Sequence, residues 1–152
     1  MNTIEITTHF DEIPAEPAKL ETLIRTICDR FELAGATISV GIVDDKEIGE
    51  LNQKFLEHEG PTDCLSFDLS DEQAENVLPV FDLVVNGQMA MRQAAERGHS
   101  SEAELALYVT HGLLHQLGFD DATAEQAEKM HRTEDEILQH LGYGFVYNDG
   151  PR

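Results

Sequence analysis

The sequence has few basic residues, and this scarcity limits the partners that it can bind. Its 152 residues include 10 lysines and arginines against 30 aspartates and glutamates, so the formal net charge is −20 at pH 7. A field of that sign repels polyanions and anionic membrane surfaces at low salt. Nucleic-acid binding is disfavoured but still open, because salt at physiological strength screens charges beyond about 8 Å and a local metal-bearing cleft can hold a phosphate.

Long apolar runs are missing as well. The opening segment MNTIEITTHFDEIP is polar and acidic, without the basic start and apolar core of a secretory signal. No apolar stretch of about 18 residues follows it. We therefore expect a soluble, cytoplasmic protein without a membrane partner.

Cysteine is scarce too. Cys28 and Cys64 do not have the CxxC spacing of a redox or zinc-binding motif. Cys28 falls in a predicted helix and Cys64 in a predicted strand. Both are predicted to be buried free thiols that fill apolar space.

The length and composition are those of one ordinary domain. A chain of 152 residues can bury roughly 70% of the surface that its unfolded form exposes. There is no internal repeat and no stretch rich in proline, glycine or serine that would serve as a linker. We expect a single domain that spans residues 1–152.

Hydrophobic periodicity predicts an α+β (α/β-like) fold with a small mixed four-stranded sheet and about five helices. Alternating apolar residues predict strands at 4–8, 38–42 and 65–69, and the apolar run VFDLVV at 80–85 predicts a central strand. Helices are predicted at 20–31, 46–56, 88–97, 101–117 and 123–141. Gly35 is expected to end the first helix, and Asp44 or Asp45 to cap the second.

The helix predicted at 101–117 carries the main chemical signal, because His111 and His115 are one turn apart. Residues four apart on a helix can reach one ion, and neutral imidazole is a favoured ligand of zinc and its first-row neighbours. On a helical wheel the two histidines and Tyr108 lie opposite a broad apolar face. That face is formed by Leu105, Val109, Leu113, Leu114 and Leu117.

A third ligand can come from the segment that follows this helix. Gly118 permits a left-handed exit, so that the chain can turn back through Phe119 and bring Asp120 or Asp121 to the same ion. Three protein ligands and one open position are typical of catalytic zinc. The alternative is that the histidines are ordinary surface residues and that the aspartates only cap the last helix.

One familiar kind of zinc enzyme is disfavoured. A HExxH peptidase has a glutamate after the first histidine, where it acts as general base. Here that position is Gly112, which cannot accept a proton.

Three separated segments now resemble a known family. GPTDCLSFDL, HGLLHQLGFDD and AEKMHRTEDEILQHLGY occur in the order seen in the YbeY family of bacterial rRNA maturation factors, with VFDLVVNG between the first two. The resemblance implies a single-strand-specific endoribonuclease for 3′-end maturation of small-subunit (16S) rRNA and for ribosome quality control. It also implies one Zn²⁺ per chain, held by three histidines in the pattern HGxLHLxGYDH.

The resemblance transfers to this chain at two of the three ligand positions. His111 and His115 match directly, and Asp121 stands where the family has its third histidine. Asp120 then corresponds to the aspartate beside that ligand and is expected to cap a helix or to support the site. Glu125 and His131 are alternative third ligands.

Aspartate in place of histidine keeps a metal site plausible and changes its character. A carboxylate oxygen binds zinc at about 2.0–2.2 Å, much as an imidazole nitrogen does. It makes the site less positive by one charge, which favours harder first-row ions such as manganese.

A second departure lies upstream. The family has an arginine in an N-x-x-Y-R segment that suits a phosphate, and its position falls here on Leu56. Lys54 and His58 are nearby candidates for RNA binding, although exposed roles on the helix surface are the alternative.

We expect a metal held by His111, His115 and Asp121 to make a bound water more acidic or to polarise a phosphoryl oxygen of single-stranded RNA. No separate general base is assigned. The absence of an aromatic cluster or an arginine-rich strip predicts weak, shape-led RNA selection. We expect a monomer whose partners are single-stranded rRNA and the small ribosomal subunit with its basic proteins.

Two further hypotheses remain open at this point. In one, a non-catalytic assembly factor with a structural metal docks on the small ribosomal subunit through basic ribosomal proteins attracted to the −20 charge. In the other, a metal-dependent hydrolase acts on a different substrate.

Overall fold

The structure is a computed structural model that describes residues 1–10, 12 and 16–143. Its strands are β1 (Thr3–Thr8), β2 (Thr37–Val43), β3 (Cys64–Asp68) and β4 (Val80–Asn86). Its helices are α1 (Pro17–Arg30), α2 (Asp45–Leu56), α3 (Gly87–Arg97), α4 (Ser101–Gln116) and α5 (Ala124–His140). In the described part of the chain, no helix combines the length and the apolar character needed to cross a membrane.

The strands form one mixed sheet in the order β1-β2-β4-β3. β1, β2 and β4 are parallel, and β3 is antiparallel to β4. The VFDLVV run therefore lies inside the sheet, as predicted, and the α+β fold with a small mixed sheet is confirmed.

Alternation along β4 divides the apolar residues between two faces of the sheet. Phe81, Leu83 and Val85 pack into the main core together with residues of α1 and α4. Val84 points the other way and joins a smaller cluster that includes Ile48 of α2. The helix that bears the histidines thus packs on the main-core face, and α2 lies on the opposite face.

α4 is more deeply buried than its sequence pattern indicates. It contacts α1, α3, α5, β3 and β4, which surround it on several sides. The predicted apolar face is buried, but Tyr108, which was expected on the opposite side with the histidines, is itself 4% exposed. The side of α4 opposite the predicted apolar face is therefore partly buried, because α3 and α5 pack against α4.

The predicted cap of α2 is confirmed, and the predicted end of the first helix is not. The Asp44 carboxylate caps α2 by accepting a hydrogen bond from the Glu47 amide at 2.9 Å. The prediction that Gly35 ends the first helix is wrong, because α1 ends at Arg30. Glu32 takes the left-handed conformation there (φ 55°), and the Leu33 amide closes the turn on the Cys28 carbonyl at 2.9 Å.

Both cysteines are free thiols, as predicted; Cys28 is buried, as expected, whereas Cys64 is only partly buried. The Cys64 side chain lies where α4 crosses the sheet at Gly112. A Cβ atom on Gly112 would come within 2.6 Å of Cys64 Sγ and 3.3 Å of Leu83 Cδ2. Glycine in a helix interior costs about 1 kcal/mol relative to alanine, and here it permits the close approach that places α4 on the sheet.

Gly112→Ala is therefore expected to lower the free energy of unfolding by about 1–3 kcal/mol, as overpacking does. Urea denaturation measures this change. Gly49→Ala in α2 is the matched control, because its Cβ would meet backbone atoms no closer than 3.7 Å. Cys64→Ala should restore most of the stability lost in Gly112→Ala. Equal stability of the two glycine variants would contradict this account.

Candidate metal centre

The two histidines of α4 lie side by side with their Nε2 atoms facing each other. His111 Nε2 and His115 Nε2 are 3.1 Å apart. Their side chains are 24% and 30% exposed, respectively, in a helix whose other side chains are largely buried. The one-turn spacing thus brings both rings to an accessible surface.

The chain reverses after α4 as predicted, and Asp121 reaches the histidines. Gly118 has a φ of 101°, and the Phe119 amide donates to the Leu114 carbonyl at 3.0 Å. Asp121 Oδ2 lies 3.9 Å from His111 Nε2 and 3.8 Å from His115 Nε2. The carboxylate is 44% exposed, so it lies at the open side of the group.

Asp120 does not cap the last helix. Thr123 caps α5 instead, in a capping box with Gln126. Asp120 Oδ1 accepts a hydrogen bond from the Asp121 amide at 2.7 Å, which supports the turn that presents Asp121. The capping part of the prediction for Asp120 is therefore wrong, because Thr123, the residue directly before α5, accepts the hydrogen bond of the Gln126 amide.

Each histidine is oriented by a contact at its other nitrogen. His111 Nδ1 lies 2.7 Å from Glu134 Oε2, and His115 Nδ1 lies 3.1 Å from the Phe119 carbonyl oxygen. Both partners only accept hydrogen bonds, so each Nδ1 carries the proton. In the neutral rings both Nε2 atoms then offer lone pairs toward the space beside Asp121.

Glu134 is a site residue that the sequence analysis missed. It lies on α5 with a side chain only 1% exposed, and its two oxygens accept from His111 Nδ1 at 2.7 Å and from His131 Nδ1 at 2.8 Å. Burial by itself lowers the pKa of His111, but the hydrogen bond and charge of Glu134, together with the charges of Asp63 and Asp121, outweigh it, so that the pKa is raised. The signal available in the sequence was the HxxE spacing of His131 and Glu134.

The donor set fits a divalent transition metal. With bonds of about 2.0–2.2 Å, the ligand atoms of a tetrahedral zinc lie about 3.3–3.6 Å apart. The three separations of 3.1, 3.8 and 3.9 Å are close to that range. Among the described residues, this is the one set of at least three His, Cys, Asp or Glu side chains whose ligand atoms all lie within 4.8 Å of one another.

The group opens into a cleft of about 490 Å³. His111 and Asp121 line it together with His131 and Glu134 of α5, Asp63 of the loop before β3, and Arg97 of α3. The site is therefore accessible to a ligand much larger than a single ion.

The other residues predicted as metal ligands or RNA contacts lie outside the metal cluster. Glu125 is exposed in the first turn of α5 and, like His131, lies outside the cluster of His111, His115 and Asp121. Leu56, Lys54 and His58 lie at or just after the end of α2 and do not line the cleft.

Phe55 at the end of α2 and Phe67 of β3 form an aromatic pair that the sequence did not predict. Phe55 and Phe67 pack edge to face, with ring centroids 5.9 Å apart. The Lys54 ammonium lies 5.2 Å from the Phe55 ring. Phe55 is 56% exposed, so this small apolar surface faces solvent.

The fold and the site together define an α+β protein with a candidate three-ligand metal centre in an open cleft. The family model described as Endoribonuclease YbeY matches residues 4–142. A protein of that name from Symbiobacterium thermophilum is 39% identical over 135 residues, which cover 80% of this chain and 86% of the relative. Another from Thermoanaerobacter is 34% identical over 138 residues, covering 82% and 87%.

A solved structure agrees with these sequence relatives. The solution structure of a target protein from Thermotoga maritima superposes with a TM-score of 0.60 at 27% identity, over 91% of each chain. The chain therefore belongs to the YbeY family of endoribonucleases, which are hydrolases.

Proposed function

We propose that this protein is a metal-dependent endoribonuclease, built as one domain over residues 1–152, that cuts single-stranded RNA. Its role would be 3′-end maturation of 16S rRNA and ribosome quality control in the cytoplasm. The observation that carries the proposal is the convergence of His111, His115 and Asp121 at an open cleft in a chain of this family.

His111 Nε2, His115 Nε2 and an Asp121 oxygen would hold one ion per chain, with Zn²⁺ as the first candidate. A divalent ion bound there supplies Lewis acidity, which polarises a phosphoryl oxygen or makes water a better nucleophile. Glu134 and the Phe119 carbonyl fix the ring orientations. Such contacts at the outer nitrogens also raise the basicity of histidine ligands.

The carboxylate of Asp121 makes the site less positive than one with three imidazoles. Harder ions such as manganese bind better to oxygen ligands than to nitrogen alone. We therefore propose that the site accepts manganese as well as zinc.

Cleavage of labelled RNA tests this function. Chelator-treated protein is given one equivalent of zinc or manganese and is incubated with single-stranded and with double-stranded RNA of the same sequence. We expect cuts in the single strand alone, abolished by chelator and restored by metal. Absence of cleavage with every first-row ion, while a control nuclease cuts, would contradict the proposal.

The negative net charge of the protein favours a second candidate function. With a net charge of −20, a non-catalytic assembly factor could bind basic proteins of the small ribosomal subunit. Metal binding without hydrolysis, together with co-sedimentation on immature subunits that disappears at high salt, would support it over the nuclease.

Glu134→Gln tests how the site is oriented. An amide offers a single acceptor oxygen and no charge, so it cannot serve both His111 and His131 as the carboxylate does. We expect zinc affinity to fall about 10- to 100-fold, as is typical when such an outer contact is lost.

The same variant should lower the pKa of His111 in metal-free protein, because burial then acts without the opposing charge of Glu134. NMR titration of the imidazole measures this shift, and competition with a chromophoric chelator measures the zinc affinity. Glu125→Gln in the first turn of the same helix is the control and should change neither value. An unaltered His111 pKa in Glu134→Gln would show that the carboxylate does not set the state of that ring.

A further inference from the structure

The walls of the cleft carry a marked imbalance of charge. Asp63, Asp121 and Glu134 line it, and Arg97 is the one lysine or arginine among the described residues that do so. A phosphodiester that enters next to these carboxylates meets like charge in a protein whose net charge is already −20. A cation of the protein beside the proposed metal ion would therefore favour the binding of a nucleic-acid strand at this surface.

Arg97 is held at the cleft by a buried anchor. It lies in the last turn of α3, just before Gly98, which takes the left-handed conformation (φ 78°). Its Nη1 donates to Glu104 Oε1 and Oε2 at 3.3 and 3.0 Å. The Glu104 side chain is fully buried, whereas that of Arg97 is 37% exposed.

This contact uses one nitrogen of the guanidinium. Within the described residues, the hydrogen bonds of Arg97 all come from Nη1, which leaves Nη2 and Nε for another acceptor. A guanidinium presents its donors in a planar fork that matches two phosphate oxygens. Anchoring one corner of the fork limits the rotamers that would otherwise be lost on binding.

A simpler interpretation is that Arg97 only neutralises Glu104. That carboxylate has a second partner, because His99 Nε2 lies 2.6 Å from Glu104 Oε1. A counter-ion role would affect stability alone, whereas a phosphate contact would affect RNA affinity and its dependence on salt. The two roles can therefore be separated by measurement.

We propose that Arg97 binds a phosphate of the single-stranded RNA in the cleft and so positions the strand beside His111, His115 and Asp121. This inference rests on the proposed nuclease function. Arg97 is then a substrate-binding residue, and the pair that it forms with Glu104 orients the guanidinium.

The test compares Arg97→Gln with Arg92→Gln. Arg92 lies on the same helix but outside the lining of the cleft, where it pairs with Asp45. Binding of a fluorescein-labelled single-stranded RNA to chelator-treated protein is measured by anisotropy over a series of KCl concentrations. The KM and kcat for cleavage are measured separately on zinc-loaded protein.

We expect Arg97→Gln to weaken RNA binding and to raise KM about tenfold or more, as the loss of a charge-assisted hydrogen bond does, with a smaller change in kcat. The slope of log affinity against log salt should fall by about 0.7, the value for one phosphate contact on a single strand. Arg97→Lys should retain the salt slope and lose part of the affinity, because it keeps the charge but not the fork. Arg92→Gln should resemble the wild type.

A second variant separates loss of RNA binding from loss of folding. Arg97→Gln combined with Glu104→Gln removes both charges of the pair, so that no unpaired carboxylate is left buried. Weak RNA binding by this folded double variant, shown by a cooperative thermal transition, would support the phosphate contact.

The outcomes separate the two proposals. If wild-type protein cleaves RNA and Arg97→Gln keeps the KM and salt slope of Arg92→Gln, the inference about Arg97 is overturned and the nuclease function stands. If wild-type protein binds RNA in an Arg97-dependent way without cleaving it, the phosphate contact stands and the nuclease function fails. Protein that neither binds nor cleaves RNA overturns both.

Discussion

His115→Ala is expected to abolish stoichiometric zinc binding and to reduce RNA cleavage about a thousandfold. Lewis-acid stabilisation by a bound ion contributes several kcal/mol, and each 1.4 kcal/mol corresponds to a factor of ten in rate. His115 is a cleaner choice than His111. Outside the metal cluster, His115 contacts the backbone carbonyl of Phe119, whereas removal of His111 would take a hydrogen bond from the buried Glu134 carboxylate.

Thermal unfolding with and without zinc distinguishes a metal ligand from a residue that matters for folding. A ligand that binds the folded state at a thousand times its dissociation constant stabilises the protein by about 4 kcal/mol. Wild-type protein should therefore melt at a higher temperature after zinc is added, and His115→Ala should not. The two metal-free proteins should melt at nearly the same temperature. His140→Ala, at an exposed position in the last turn of α5, should behave as wild type in every assay.

Mass spectrometry of the metal content completes this test. Near-unit zinc in wild-type and His140→Ala protein, with none in His115→Ala, is the expected pattern. Full zinc occupancy in His115→Ala would remove the histidine pair from the site and with it the basis of the proposed mechanism.

The parts of the site that local sequence determines could be predicted. A four-residue spacing places His111 and His115 on one side of any α-helix. Gly118 marks a left-handed exit, and its φ of 101° shows that conformation. The chain between Gly118 and Asp121 is short, so it has little freedom to place the Asp121 carboxylate elsewhere.

The parts that depend on packing between helices could not be predicted. Glu134 is 23 residues from His111 in sequence, and their contact exists only because α5 packs against α4. The burial of Tyr108 and the presence of Arg97 at the cleft depend in the same way on how α3 and α5 lie beside α4. Hydrophobic periodicity shows that a helix has a buried face, but it does not identify the neighbour that covers its other side.

The order of the strands shows the same limit. Alternation located all four strands to within about two residues, since each has an apolar side toward one of the two clusters. Which strands pair with each other depends on contacts between segments that are far apart in the sequence. β3 follows α2 in the chain yet lies at the sheet edge, antiparallel to β4, and the local pattern of CLSFD contains nothing that specifies this place.

Substitution of Asp121 is expected to change both the affinity of the site and the ion that it prefers. Asp121→Ala removes the one oxygen ligand of the proposed set. When one equivalent of zinc is supplied, we expect the zinc occupancy of this variant to fall well below one. Cleavage should fall about 100-fold or more, which corresponds to about 3 kcal/mol of the transition-state stabilisation that the ion provides. The loss should be smaller than in His115→Ala, because the carboxylate is 44% exposed and water can take its place.

Asp121→His provides the contrast that identifies the role of the carboxylate. It creates three imidazoles, which suit zinc, and removes the oxygen that suits manganese. We expect Asp121→His to keep zinc-supported cleavage and to lose most manganese-supported cleavage. Asp120→Ala should retain both, because the Asp120 carboxylate lies outside the metal cluster and accepts a hydrogen bond from the amide of its neighbour. Mass spectrometry and cleavage assays with each ion measure these effects. If Asp121→Ala binds zinc as wild type does, the third ligand is another residue, and Asp120, Glu125 and His131 are the alternatives.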